Sequence, residues 1–360
     1  MGMSFIHHFP IPDFLAMPAC ALDISDESIK YGQITQFQHE FRLKYFGQEN
    51  ITPGVVVSGK IEDESRLIQV LASIKKKQKI KFVRVCLPEE QMYLFNLVLP
   101  KQADKEMTET ILLQLEDHVP IPATNAVFDY EVIREVDDSN VLVKVVATDI
   151  DLVNSYLAAF SKAGLVPLSF ELEDQAIARA LVPKDSQDSV MIVDFGRTRT
   201  GISIVEDGRV NFTSTFNVGG QKITEVIAKN FKVSVDEAEL MKYEYSKLGS
   251  DAENDIFPVI VANLSILLDE IRKHYSYWNS HESEDSQPHA KIKKVILCGG
   301  EANLYGLVPY FKTSMEVPVE YGNIWTNIQD ISKDLPSMTF DESLSYATVF
   351  GLALGGFLKE

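Results

Sequence analysis

VMIVDFGRTRTGISIVEDGRVNFTSTFNVGG, residues 190–220, is the stretch on which the reading of the fold turns. Val190–Val193 is a short apolar run, Asp194 and Gly196 interrupt it, and Gly201–Val205 resumes an apolar, β-branched pattern, which together read as a strand–turn–strand hairpin. Glu206, Asp207 and Gly208 give a second turn, and Asn211–Phe216 a third strand. Gly219 and Gly220 then lead into ITEVIAKNF, where Ile223, Val226, Ile227 and Phe231 fall at helical spacing. A carboxylate at a strand end, glycine and hydroxyl groups in the turn, and a Gly-Gly step into a helix are the parts of a site for phosphate and a hydrated metal ion. In isolation the same residues also read as an ordinary hairpin before an ordinary helix.

The 360 residues suffice for two domains or one two-lobed unit, and 45% apolar with 24% charged residues supports a sizeable core. A formal net charge of −18 argues against a general nucleic-acid surface and against direct adhesion to anionic lipid. Cys20, Cys86 and Cys298 are too widely spaced for a disulfide framework or a metal cluster, and a reduced, cytosolic setting is the simpler account. Residues 1–18, broken by three prolines, have neither the cationic start of a signal peptide nor the apolar length of a spanning helix. They are expected to form an arm whose Phe5, Phe9, Phe14 and Leu15 pack on its own domain, a partner-binding or membrane-touching arm being the alternative.

Read in order, ACALDISDESIKYGQI (residues 19–34) repeats the opening grammar: apolar strand, Asp23, polar turn, strand. Residues 66–74 have helical spacing, the lysine run from Lys75 to Lys81 suits a helix C-terminus, and Phe82–Leu87 and Met92–Leu99 read as strands. The order helix, strand, strand, helix, strand between Pro100 and Phe170 suggests a small α/β unit of its own. The expected division is therefore 19–99 as the first part of lobe 1, 100–170 as an inserted subdomain and 171–189 as a connection. Residues 190–342 then form lobe 2, and 343–360 a C-terminal helix returning to lobe 1.

Two halves that each open with a strand–Asp–turn–strand hairpin point to internal duplication, and Gly299-Gly300 ends a strand at a third place. A nucleotide between such halves would have its phosphates held by both hairpins and its adenosine against the Gly-Gly step, where a side chain would block the base.

The three segments DISDESIK, DFGRTRTG and ILCGGEANLYGL resemble the phosphate and adenosine motifs of the actin-like ATPase superfamily. Within it the chain resembles most the type IV pilus assembly PilM family, related to the division protein FtsA, through LLQLEDHVPIP, FDYEVI, NVGGQKITEVIAKNF and LLDEIRKHYSYW. The resemblance runs from Ala19 to Phe357. It implies an α/β, two-lobed actin-like (ribonuclease-H-like, duplicated) ATPase fold with an FtsA/PilM-type 1C subdomain after Pro100. It also implies a cytoplasmic protein that binds ATP or ADP with Mg²⁺, held at the inner face of the membrane through its partners. Those partners would be the cytoplasmic N-terminal peptide of a PilN-like membrane protein, other pilus assembly proteins and further copies of the chain, without nucleic acid. FtsA-like proteins usually end in an amphipathic membrane helix after a linker; the sequence ends three residues past GLALGGF, which favours the PilM branch.

Carried onto this sequence, the resemblance gives Asp23 and Asp194 the orientation of Mg²⁺ through water, and Ser25, Thr198 and the backbone at Gly196 the phosphate oxygens. Gly219 and Gly220 leave room at the cleft; Gly299, Gly300 and Asn303 border the adenosine; Glu270 reaches the ribose. Glu173 polarises the attacking water, with Glu171 and Gln175 as competitors, and Glu270 reads equally as an i,i+3 partner of Lys273. Departures from the family pattern weaken the hydrolytic reading. Asp26 and Glu27 stand where glycine and hydroxyl residues are usual, Arg197 and Arg199 are added to the second hairpin, and Gln221 replaces the usual Asp or Asn. A nucleotide-binding scaffold with weak or absent turnover is therefore expected; an FtsA-like filament-forming ATPase, a small-molecule kinase of the superfamily and an adaptor with a dead site are the alternatives.

Overall fold

A computed structural model describes residues 19–37, 40–252, 255–328 and 337–357. The N-terminal arm expected over 1–18 and the last three residues lie outside it. The chain opens with β1 (Ala19–Ile24), β2 (Ser28–Phe37) and β3 (Glu40–Asn50), an antiparallel meander with Asp23 opposite Lys30. After the two-residue strands β4 (Val56–Val57) and β5 (Lys60–Ile61), α1 (Glu64–Gln78) begins at Asp63, whose carboxylate accepts from Arg66 N–H. α1 ends with Lys79 in the left-handed region, its N–H donating to the Lys75 carbonyl. It buries Leu67, Leu71 and Ile74, and β6 (Phe82–Leu87) follows, parallel to β1.

A turn at Glu89–Gln91 sends the chain into β7 (Met92–Pro100), α2 (Asp104–His118), β8 (Ala126–Glu135) and β9 (Asn140–Asp149). These strands form a separate sheet in the order β7-β9-β8, with Leu97, Leu99, Val143 and Val145 buried against Met107 and Ile111 of α2. α3 (Ile150–Ala163) and β10 (Val166–Leu172) then return to the first lobe. Tyr156 and Phe160 of α3 lie in the core with α1 and β6, and β10 pairs in parallel with β6. The sheets thus divide the chain differently from the 100–170 unit read from sequence: β7 belongs with the subdomain, and α3 with β10 belongs to lobe 1. The alternation of β7 and the amphipathic spacing of α3 fit either unit, and only the partners that cover them decide.

α4 (Glu173–Leu181) leads to β11 (Ser189–Phe195), β12 (Thr200–Glu206) and β13 (Arg209–Phe216). Next come α5 (Gly220–Phe231), α6 (Val235–Leu248), α7 (Phe257–Ser280), β14 (Ile292–Cys298), α8 (Leu307–Lys312) and β15 (Val319–Tyr321). Ser234 and Glu237 close the reciprocal cap of α6 that their spacing predicts. The two five-stranded sheets run β10-β6-β1-β2-β3 and β15-β14-β11-β12-β13, with the same strand senses at every step. The duplication read from two short hairpins is therefore carried through all ten strands. At the C-terminal end the single helix read over 343–358 is divided: α9 (Phe340–Ser343), a 3₁₀ turn at Leu344–Tyr346 and α10 (Ala347–Gly355). α10 packs with α4 between the two sheets, sharing a core with Ala21 and Cys86 of one and Val190, Ile192 and Ile296 of the other.

Candidate functional site

A cleft of about 1100 Å³ lies between the two sheets, and the duplicated strand ends meet in it. Asp23 stands near the end of β1; Asp194 stands near the end of β11, opposite Gly201 and Cys298. Removal from water lifts both carboxyls above their usual range; Lys30 and Arg199 pull them back, while Asp23 pushes Asp194 further up. Two carboxylates held in this way suit a divalent cation with part of its water shell, since hard oxygen donors are what Mg²⁺ takes. Among the described residues no three His, Cys, Asp or Glu side chains gather to ligate a metal directly.

The acids of the first turn, which in sequence looked repulsive to phosphate, are both partnered. The Asp26 carboxylate accepts from Ser58 N–H at 3.1 Å and Gly59 N–H at 3.2 Å, which turns it towards the β4–β5 ribbon. Glu27 pairs with Arg197 of the second hairpin at 2.5 Å, and Arg197 also reaches Glu239 of α6 at 3.1 Å. Arg199 pairs with Glu90 at 2.7 Å. The Ser25 hydroxyl donates to the Ser28 carbonyl at 3.1 Å and so is used in closing its own turn.

Gly196, Thr198, Gly299, Gly300 and Asn303 line the cleft, as expected from sequence. Gly299 has φ +96°, and a Cβ there would overlap the Asp194 carboxylate and the Phe195 carbonyl. Gly219 and Gly220 do not line it. Gly220 N–H donates to the Gly196 carbonyl at 3.0 Å and Gln221 N–H to the Arg197 carbonyl at 2.8 Å, so the hairpin turn caps α5. A Cβ on Gly219 would overlap the Arg197 carbonyl, and one on Gly220 the Glu301 carboxylate. Gly219 thus makes room for the hairpin and Gly220 for the Glu301 carboxylate, rather than for a ligand. Glu270 is likewise absent from the cleft wall: on α7 it pairs with Lys273 at 3.4 Å. Tyr243 and Lys247 of α6 line the cleft instead, with Lys247 held by Asp341 at 3.2 Å.

Glu173 lines the cleft and accepts from the Thr348 hydroxyl at 3.3 Å. Burial, then Asp23 and Asp194, hold its carboxyl well above the usual range, which suits a proton donor better than a base. Two charged groups escaped the sequence reading. Glu89, at the root of the subdomain, reaches the space a side chain at Gly201 would fill, with Oε2 2.8 Å from that Cβ position, and burial pushes it up to about 7, Arg199 opposing. Lys242 of α6, buried, ties Glu301 at 3.0 Å to Glu239 at 3.2 Å and the Gly220 carbonyl at 3.3 Å. Helical spacing put Lys242 on α6, and no local signal said that its charge would be buried.

Duplicated five-stranded sheets around a cleft closed by α4 and α10 define an actin-like α/β fold. The same fold is found in the PilM–PilN type IV pilus biogenesis complex, with a TM-score of 0.79 at 22% identity over 96% of this chain and 100% of that one. It is also found in MreB5 of Spiroplasma citri bound to ADP, with a TM-score of 0.54 at 14% identity over 95% and 96%. Residues 21–357 match the family described as type IV pilus assembly protein PilM, and the chain belongs to that family. Cell division protein FtsA of Neisseria meningitidis is 21% identical over 188 residues, 47% of this chain and 45% of its own. The chain spans less than two thirds of the length of the FtsA proteins it matches first. Among the described residues no helix is long and apolar enough to cross a membrane.

Proposed function

We propose that the chain is a nucleotide-binding scaffold of the type IV pilus assembly complex at the cytoplasmic face of the inner membrane. In this reading it takes the cytoplasmic N-terminal peptide of a PilN-like protein, with weak or absent hydrolysis. The observation that carries the nucleotide part is the pairing of Asp23 and Asp194 at equivalent strand ends across one cleft, with Gly299 bare beside Asp194. A bound Mg²⁺ would supply the positive charge that lets this acidic wall accept a polyphosphate. Asp23 and Asp194 hold its water shell, the Gly196–Thr198 turn faces the phosphates, and Gly300 and Asn303 border the base and sugar. The weak-turnover part of the reading is supported by the departures at Asp26, Glu27 and Gln221 from the residues usual in the superfamily's phosphate motifs. The partner part is supported by family membership and by the likeness to a PilM–PilN complex over 96% of the chain.

Calorimetric titration of the full chain with ATP and Mg²⁺ tests the first part. Wild type binds, and Asp194→Ala weakens binding by roughly tenfold or more while melting no earlier, because it removes one of several crowded acids. Absence of binding in wild type would sink the nucleotide role. A synthetic peptide from the cytoplasmic N-terminus of the PilN-like protein, titrated with and without nucleotide, tests the second; no binding in either state refutes it.

A further inference from the structure

The two hairpin turns are bridged by one side chain. Arg197, at the tip of the second turn, reaches across the cleft to Glu27 at the tip of the first, Nε to Oε2 2.5 Å, and Glu239 holds its other edge at 3.1 Å. Asp26, the neighbouring acid, is turned away onto the Ser58 and Gly59 N–H groups, so Glu27 is the acid of the first turn that meets the second. Arg199, two residues on, is fixed differently: it pairs with Glu90 and its side chain is 19% exposed, against 41% for Arg197 and 37% for Glu27. Lys247, at the far rim, is held by Asp341.

We propose that Arg197 is the ligand of the terminal phosphate in this cleft and that Glu27 is its resting partner, released when a nucleoside triphosphate enters. The inference rests on the nucleotide reading above and adds a residue and a discrimination to it. A half-exposed carboxylate–guanidinium pair is weak, whereas a phosphate offers the same fork two oxygens and more charge. The exchange is therefore favourable for a triphosphate whose end lies between the turns, and a diphosphate, one group shorter, leaves Arg197 with Glu27. The two carboxylates that depart from the expected phosphate-binding pattern thereby acquire separate roles: Asp26 braces the first turn, and Glu27 sets the threshold for opening it.

The test is calorimetric titration of the full chain with ATP and with ADP, each with Mg²⁺, for wild type, Glu27→Gln and Arg197→Gln. Removing the resting partner should tighten ATP by roughly two- to fivefold, the worth of one half-exposed charge pair, and change ADP by less than about twofold. Arg197→Gln should weaken ATP and bring the ATP-to-ADP affinity ratio close to one. A gain in affinity by Glu27→Gln cannot come from misfolding, and the melting temperature of Arg197→Gln controls the loss. If Glu27→Gln binds ATP no tighter than wild type, or Arg197→Gln keeps the wild-type ratio, the assignment is wrong while the nucleotide role stands. If wild type binds neither nucleotide, both fall.

Discussion

Glu89 shows at the scale of one residue how closely the acids of the cleft are crowded. Its carboxyl is pushed up to about 7, first by burial, with Asp194 and Glu90 adding to it and Arg199 opposing. A folded-state value above the ordinary one of about 4.3 means that the folded protein holds a proton the unfolded chain has lost. Stability is therefore undiminished below about pH 4, falls as pH rises towards 7, and stays reduced above it. Glu89→Gln should raise the melting temperature at pH 8 and flatten its decline between pH 5 and 7.5, measured by thermal denaturation; a variant that melts earlier at pH 8 would contradict this account. Asp23, Asp194, Gly299 and Asn303 could be placed at the cleft from sequence because each sits at a fixed offset from an apolar run. Glu89 could not, because Pro88-Glu89-Glu90 reads as any polar strand end. Glu270 was misplaced for the converse reason: spacing puts it on a helix and says nothing of which face meets the cleft.

At the scale of elements, α4 and α10 cross so closely that a Cβ on Gly351 would overlap the Ala176 carbonyl. Both helices join the same buried core, so the contact sets how the two sheets approach one another. Gly351→Ala should destabilise the chain by about 3 kcal/mol, since neither helix backbone can yield without opening the core, and urea denaturation measures it. A loss under about 0.5 kcal/mol would mean the helices part freely. On α2, Leu113 is 84% exposed, the most open of the large apolar side chains described, with Leu112 beside it. Leu113→Asp should therefore leave stability within about 0.5 kcal/mol of wild type, read in the same urea denaturation. Hairpins and helices were legible because period 2 and period 3.6 are local properties. The unit to which β7, α3 and β10 belong was not, because each buries one face and any complementary face would serve.

Across the whole molecule, the β7–α2–β8–β9 subdomain does more than hang from lobe 1. Glu131 pairs with Arg209 at 3.0 Å, Arg134 with Asp285 at 2.5 Å, and Lys144 donates to Asn211 at 2.6 Å, all three reaching lobe 2. Lys144 is the costly member: 7% exposed, it is lowered to about 8 first by burial, with Arg209 adding to the fall and Glu131 and Glu206 opposing it. Below pH 8 the ammonium is charged in both states and the penalty is fully present. Between about 8 and 10 the folded state loses the proton first, so stability rises with pH. Wild type should gain about 1.5 kcal/mol relative to Lys144→Met between pH 8 and 9.5 in denaturant titrations, and a constant difference would refute the assignment.

What the sequence by itself determined is the duplicated hairpin grammar, the acids at the strand ends and the glycine at the third motif; the likeness to the PilM family came from matched segments and not from these patterns. These follow from chain-local constraints: which backbone angles a residue tolerates, and how apolar side chains alternate. Only the tertiary structure decided that Gly219 clears the hairpin and Gly220 the Glu301 carboxylate, that Asp26 and Glu27 are satisfied by different partners, and that Arg197 spans the two turns. Each of those depends on a charge or a surface brought from a distant part of the chain, and the energy of a buried charge is set by its neighbours in space, not in sequence.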